Sequence, residues 1–378
     1  MQGIDGEILV VDNHSSDGSM ELLPRIFPGV KFIASDQNLG FAKANNLALR
    51  QAAGSVILFL NPDTVIPEDV LSRTLALLEA NGQTGALGIR MIDGSGRFLP
   101  ESKRGFPSPQ ASLFKLTGLA GLFPRSAFFG HYYLGWLAER KNHEVEVLSG
   151  AFMMVKKRVL DEAGSFDEQF FMYGEDIDLS YRISQAGYRN FYLGEAAILH
   201  FKGESTRKDR RHTRMFYDAM DIFIKKHYRG GQLLPFRLMQ AGIEIASLLS
   251  KTRNHFRGEK AKPAQAGNIV LLAGTKAAAS EAAALLEKLV QVSTVLRLAD
   301  VAELQGLLEK REAEVVVFDA GSLAYGQIIS VMADYPGKAI YKIMNTDGLT
   351  VVGSDIKGVQ GEIWRLDEDG GKRGAGRG

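Results

Sequence analysis

The chain has 378 residues, with 45 lysines and arginines against 44 aspartates and glutamates, and no cysteine. That length points to two domains, and the near-neutral charge balance removes any global attraction for nucleic acid. The lack of cysteine excludes a disulfide scaffold, a thiolate zinc centre and a cysteine nucleophile, and it fits a reducing cytoplasm.

Met1 leads into Gly3-Ile4-Asp5-Gly6 without the basic start or apolar core of a signal peptide. The first half then alternates short apolar runs with helix-like runs. Glu7 to Val11 reads as a strand ending in Asp12-Asn13, Ser19 to Ile26 as a helix, and Val30 to Ala34 as a strand. Gly40 to Ala53 has helical spacing, with Phe41, Ala44, Leu47, Ala48 and Ala52 on one apolar stripe. Ser55 to Leu60 is a buried strand stopped by Pro62, and Pro67 heads the next helix. From Gly105 to Arg140 the pattern weakens into a stretch rich in Pro, Gly and aromatic residues. Val145 to Val155 is strand-like, Lys157 to Ala163 helical, Glu175 to Ala186 an amphipathic helix, and Asn190 begins another strand. This alternation predicts a largely parallel sheet flanked by helices.

Leu233 to Leu249 is the most apolar stretch, but Arg237, Gln240 and Glu244 interrupt it, so it does not span a membrane unaided. It reads as an amphipathic helix that packs between domains or lies on a membrane surface, with Arg253, His255, Arg257 and Lys260 following. The expected organisation is a first domain over 1–230, this helix and a linker over 231–266, a small Rossmann-like domain over 267–362, and an unstructured tail over 363–378.

Three polar clusters follow strands, where open α/β sheets place their ligands. The first runs Asp12-Asn13-His14-Ser15-Ser16-Asp17-Gly18-Ser19. Its leading acid suits a nucleobase or ribose hydroxyl, and Ser16 and Asp17 serve equally as a helix cap. The second is Asn61-Pro62-Asp63-Thr64. Pro62 turns the chain outward, leaving Asp63 to meet a hard divalent cation or to cap the next helix. The third, Phe170 to Arg182, crowds Glu175, Asp176 and Asp178 into one helical turn. Residues three apart share a face, so Glu175 and Asp178 lie together and Asp176 points elsewhere. Crowded carboxylates raise each other's proton affinity, while the helix dipole opposes this.

Lys43 and Asn46 on the second helix suit a phosphate or ribose, or simply solvent and packing. The aromatic run Phe123, Phe128, Phe129, Tyr132, Tyr133, Trp136 forms an acceptor or lipid-facing surface, or packs a core. The basic run Arg207 to Arg214 closes over a diphosphate or an anionic acceptor, or is a solvated loop. Neither a G-x-G-x-x-G nor a G-x-x-x-x-G-K-[ST] phosphate loop is present.

The strings Val10 to Ser19, Asn38 to Asn46, Phe59 to Thr64, Ser149 to Phe152 and Tyr173 to Arg182, taken in this order, resemble a family-2 glycosyltransferase of the GT-A type, closest in flavour to rhamnosyltransferase-like enzymes of bacterial surface polysaccharide. The resemblance covers about residues 5 to 230. It implies inverting transfer from a nucleotide-diphosphate sugar, dTDP-rhamnose or a UDP-sugar, to a saccharide or lipid-linked saccharide acceptor. No nucleic acid takes part, and the enzyme would work in the cytoplasm or peripherally at the inner face of the inner membrane. By position, Asp12, Asn13, Ser15, Asn38, Lys43 and Asp63 fall to the nucleotide site. Asp63 and His200 fall to a Mg or Mn ion, Asp176 to the catalytic base, and Glu175 to acceptor placement. Two departures stand out: the family's first strand has no counterpart before Val10, and Asn61 replaces the first acid of D-x-D. The first departure motivates the alternative of a catalytically silent nucleotide-sugar-binding or scaffold subunit.

Overall fold

The computed structural model describes residues 3–108, 111, 114, 118–201, 210–228, 269–290, 295–345, 350–353, 362–366 and 372–373. The predicted helix and linker over 231–266 and the first residues of the basic run, 207–209, lie outside these residues, while 210–214 begin a helix.

β1 (Leu9–Asp12) and β2 (Lys31–Ala34) pair in parallel across α1 (Ser19–Ile26). Gly18, at φ +78, makes the left-handed entry into α1, a conformation that only glycine adopts without strain. α2 (Gly40–Leu49) follows, then β3 (Val56–Leu60), β4 (Thr64–Val65), α3 (Val70–Ala80) and β5 (Thr84–Ile92). A 3-10 turn (Pro100–Ser102) precedes the weakly patterned stretch, whose described residues include the short α4 (Leu119–Leu122) and a 3-10 turn (His131–Tyr133), and then come β6 (His143–Val145) and β7 (Phe152–Lys156). α5 (Lys157–Ala163), α6 (Glu175–Gln185), β8 (Arg189–His200) and α7 (Arg210–His227) complete the first unit.

Its central sheet has the order β3-β7-β5-β8-β4, with β6 beside β8. The α/β frame is the expected one, but this sheet is mixed. Only β5 and β8 run parallel, whereas β7 is antiparallel to both β3 and β5, and β4 and β6 are antiparallel to β8. Parallel neighbours need a crossover that returns the chain to the same edge. The long connection before β7 delivers it from the opposite edge. Among the described residues, β1 pairs only with β2 and β3 only with β7. α2 packs on β1 and also sends Phe41, Ala42 and Leu49 into the cluster that holds Phe59 and Ile57.

The second unit is the predicted Rossmann-like one. β9 (Ile269–Leu272), α8 (Lys276–Val290), β10 (Val295–Leu298), α9 (Val301–Lys310), β11 (Val315–Asp319), α10 (Tyr325–Asp334) and β12 (Ile340–Met344) alternate along the chain. The four strands are parallel in the order β10-β9-β11-β12. β13 (Thr350–Gly353), β14 (Glu362–Leu366) and β15 (Lys372–Arg373) extend the sheet in antiparallel fashion. Part of the segment expected to be an unstructured tail is therefore strand: main-chain pairing to β14 orders a composition that carries no apolar pattern. The two units are not joined by a linker alone. Ile92, Ala197 and Leu199 of the first share one apolar cluster with Val270, Leu272, Ile328 and Met332 of the second.

Candidate active site

The fold brings all of the singled-out strings together. The Asn13 amide donates to Asn38 Oδ1 at 3.1 Å and to the Gly40 carbonyl at 3.2 Å, while Leu39 N–H donates to Asn13 Oδ1 at 2.7 Å. This ties the β1 exit to the start of α2. Gly40 sits at φ +76, and a Cβ there would meet the Phe171 carbonyl at 2.3 Å, so only glycine permits Phe41 N–H to donate to that carbonyl at 2.8 Å. The loop before α6 is thereby fixed against α2. On the other side, Asn61 N–H donates to the Ala151 carbonyl, and Gly150 N–H donates to Asp176 Oδ2 at 3.3 Å.

As the spacing predicts, Glu175 and Asp178 are buried and Asp176 is half-buried on another face. The fully buried Asp178 pairs with Arg182 and Lys226 and lies 2.6 Å from His227 Nε2, which latches α7 onto α6. That role was not legible in the sequence. Asp176 Oδ2 also accepts from Arg104 Nη2, which donates in turn to the Leu148 carbonyl at 3.0 Å, and Asp176 Oδ1 accepts from Ile177 N–H at 2.8 Å. Burial alone would lower the Arg104 pKa, but the Asp176 carboxylate beside it more than offsets this and raises it, so the guanidinium stays charged.

Glu175 has no such cation of its own, and its Oε2 is buried without a hydrogen bond. Burial, aided by the Asp176 charge, pushes its carboxyl up to about 8. A carboxyl whose folded pKa is raised favours the protonated native state. The stability it adds is complete below its unfolded pKa and lost as pH rises toward 8. Glu175→Gln cannot ionise, so relative to its difference at pH 5 the variant should gain several degrees of melting temperature over the unchanged chain at pH 8. Parallel melting-temperature profiles across that range would contradict this assignment.

Asp63 follows β3, and its carbonyl accepts from Phe201 N–H at 3.0 Å. The β4–β8 register sets Thr64 opposite His200. Asp63 Oδ1 and His200 Nε2 approach to 3.2 Å, both side chains about one-tenth exposed, yet Asp63 Oδ1 and His200 Nδ1 have no hydrogen-bond partner. A hard carboxylate oxygen and an imidazole nitrogen so placed fit two positions of a magnesium or manganese ion. Among the described residues no group of three or more His, Asp or Glu side chains forms a complete metal cage.

Asp12 turns its carboxylate onto Ser15 N–H at 3.3 Å, with Ser15 itself exposed. Lys43 and Asn38 are exposed beside this loop. Asn46, by contrast, is buried; it donates to the Phe166 carbonyl and accepts from Phe166 N–H, so it holds α2 to the loop after α5 and is not open to a ribose. The aromatic run divides: Phe123 and Phe128 are exposed, while Tyr132 is buried. Arg104 was missed at the sequence level because it adjoins the unpatterned stretch and meets Asp176 from 72 residues away. No described helix is long and apolar enough to cross a membrane.

These contacts join the loops after β1 and β3 to the start of α6, where the buried Arg104 holds Asp176. Residues 3–164 match Glycosyl transferase family 2, and residues 113–254 match Glycosyl transferase family group 2. Residues 3–164 thus resemble glycosyl transferase family 2, and the chain is a glycosyltransferase. It is 28% identical, over 61% of its length and 78% of the relative's, to the N-acetylglucosaminyl-diphospho-decaprenol L-rhamnosyltransferase of Mycobacterium tuberculosis H37Rv. The rhamnosyltransferase WbbL of Escherichia coli K12 is also 28% identical, over 53% of this chain and 75% of that protein. Among solved structures, the mannosyltransferase PcManGT of Pyrobaculum calidifontis, in complex with GDP-Man and Mn2+, overlaps 61% of this chain and 57% of its own, at 19% identity and a TM-score of 0.38.

Proposed function

We propose that the chain transfers a deoxyhexose, with inversion, from a nucleotide-diphosphate sugar to a hydroxyl of a lipid-linked saccharide during surface polysaccharide assembly. The observation that carries this is Asp176, a half-buried carboxylate fixed by Arg104 and Gly150 beside the strand end that bears Asp63. The likeness to rhamnosyltransferases, one of them named for a decaprenol-linked acceptor, supports the deoxyhexose and the lipid-linked saccharide.

In this reading Asp176 takes the proton of the acceptor hydroxyl as its oxygen forms the bond to the sugar's anomeric carbon. The bond from that carbon to the diphosphate oxygen breaks on the opposite face, and the nucleoside diphosphate leaves with the electron pair. Asp12, Asn13, Ser15, Asn38 and Lys43 hold the nucleotide at the β1 exit. Asp63 and His200 would hold a divalent cation beside the donor diphosphate. That cation would offset the charge that develops on the leaving diphosphate. Glu175, kept protonated near neutrality, has a proton to donate to an acceptor oxygen. The enzyme works peripherally at the inner face of a membrane, where a lipid-linked acceptor is presented.

A thermal-shift panel of dTDP, UDP and GDP, with and without manganese, tests donor binding. A ligand that binds only the folded chain stabilises it by about 2.7 kcal/mol at a hundredfold excess over its Kd. One base should raise the melting temperature, and more so with manganese. No shift with any of them would contradict the donor site.

A further inference from the structure

Among the described residues of the C-terminal unit, the loops at the place where its topology would put a ligand crevice are in contact with each other. Its strand order reverses between β9 and β11, and parallel sheets bind ligands at the carboxyl ends flanking such a point. There, Gly274 N–H donates to Ser322 Oγ at 2.9 Å, Ser322 Oγ donates in turn to Asp319, and a Cβ on Gly274 would meet the Ser322 carbonyl at 2.3 Å. The loops close on each other.

What this unit does present is α10, and the first unit grips it at both ends. Glu68 accepts from Tyr325 N–H at 2.7 Å and Gly326 N–H at 3.2 Å, which satisfies free donors at the helix N-terminus. Arg140 donates to the Ala333 carbonyl at 2.8 Å and pairs with Asp334 at 2.6 Å at the C-terminus. An anion at the start and a cation at the end both complement the helix dipole. The turn after β5 closes against the same helix: Gly337 N–H donates to the Ser95 carbonyl at 2.7 Å, and a Cβ on Gly96 would meet the Met332 carbonyl at 2.0 Å. Between the clamps, Ile328 and Met332 share a core with Ile92 and Leu199, and Val65 and Phe201 pack against it. Val65 lies two residues from Asp63, and Leu199 and Phe201 flank His200.

We propose that the C-terminal unit is a buttress that sets the Asp63–His200 pair, with Glu68 and Arg140 as positioning residues acting through α10. The proposal rests on the reading of Asp63 and His200 as the donor cation site. Its test uses the full chain carrying Glu68→Ala, Arg140→Ala or both. Two quantities are measured: hydrogen exchange at Tyr325, Gly326 and Gly337, and calorimetric affinity for the nucleoside diphosphate selected by the thermal-shift panel, with and without manganese. Exchange at the helix ends should rise about tenfold in the double variant, because a hydrogen bond to a charged group is lost. Manganese-dependent affinity should fall roughly fivefold or more, with metal-free affinity unchanged. Glu68→Gln, which keeps one acceptor oxygen, should fall between the double variant and the unchanged chain.

Faster exchange with unaltered manganese dependence would overturn the proposal, as would unaltered exchange. Asp63→Ala run alongside separates the two failures. If it binds manganese and nucleotide like the unchanged chain, the cation site itself is wrong. If it loses manganese dependence while the clamp variants do not, only the buttress is wrong.

Discussion

Asp176→Asn leaves donor binding intact and lowers sugar transfer by about a thousandfold, the loss expected when a positioned general base is removed. Asparagine has nearly the shape of aspartate, and its side-chain oxygen can still accept from Arg104 and Gly150, as Asp176 Oδ2 does. The active-site geometry therefore persists while the proton acceptor is gone. Arg104 then keeps its bond to the Leu148 carbonyl but loses the neighbouring anion, so a marked fall in stability accompanies the variant, which is assayed below its own melting temperature. Single-turnover product formation, set beside calorimetric nucleotide affinity, reads the two effects separately. Turnover at the unchanged rate would move the base elsewhere, and Glu175, next on the helix and the more proton-avid of the acids, is then the first to replace.

Asp63→Ala is the second large effect. Its side chain meets His200 at 3.2 Å, whereas its main-chain carbonyl holds Phe201 N–H, so alanine removes the proposed cation ligand and spares the β4–β8 junction. Manganese-dependent nucleotide affinity should fall by at least about tenfold, the scale by which metal sites respond to loss of even outer-shell partners. His200→Ala should act in the same direction. Titrations of manganese in the presence of nucleotide check both variants, and an unchanged manganese dependence in Asp63→Ala would remove that residue from the cation site.

Much of the framework was legible because local signals carry it. Apolar runs ending in Asp12 and Asn61 mark strand ends, Pro62 forces the chain off the sheet, and the acids of α6 sit where helical spacing puts them on different faces. The joining of separate strings was legible only through the resemblance, since nothing in the sequence around Phe171 announces that its carbonyl caps the approach of Gly40.

What stayed hidden depends on distant partners. The direction of β7 is set by where a long irregular connection delivers it, so periodicity predicted a sheet but not its mixed character. Arg104 carries no local signal beside an unpatterned stretch, and only the folded chain shows it buried against Asp176. Asn46 had the chemistry of a ribose contact, but burial assigned its amide to the Phe166 backbone. The apolar run Ala196 to Leu199 is strand-like in the sequence. It did not reveal that a covering layer comes from more than a hundred residues downstream, at Ile328 and Met332.

The central claim, that this chain moves a sugar using Asp176, is tested most directly by incubating the full chain and its Asp176→Asn variant with dTDP-rhamnose, manganese and a lipid-linked N-acetylglucosamine acceptor, and following glycosylated product by mass spectrometry. The account predicts product that accumulates with the unchanged chain and is lost, by about a thousandfold in rate, with the variant. Donor that binds to the unchanged chain and is never turned over, or product formed equally by both proteins, would contradict it.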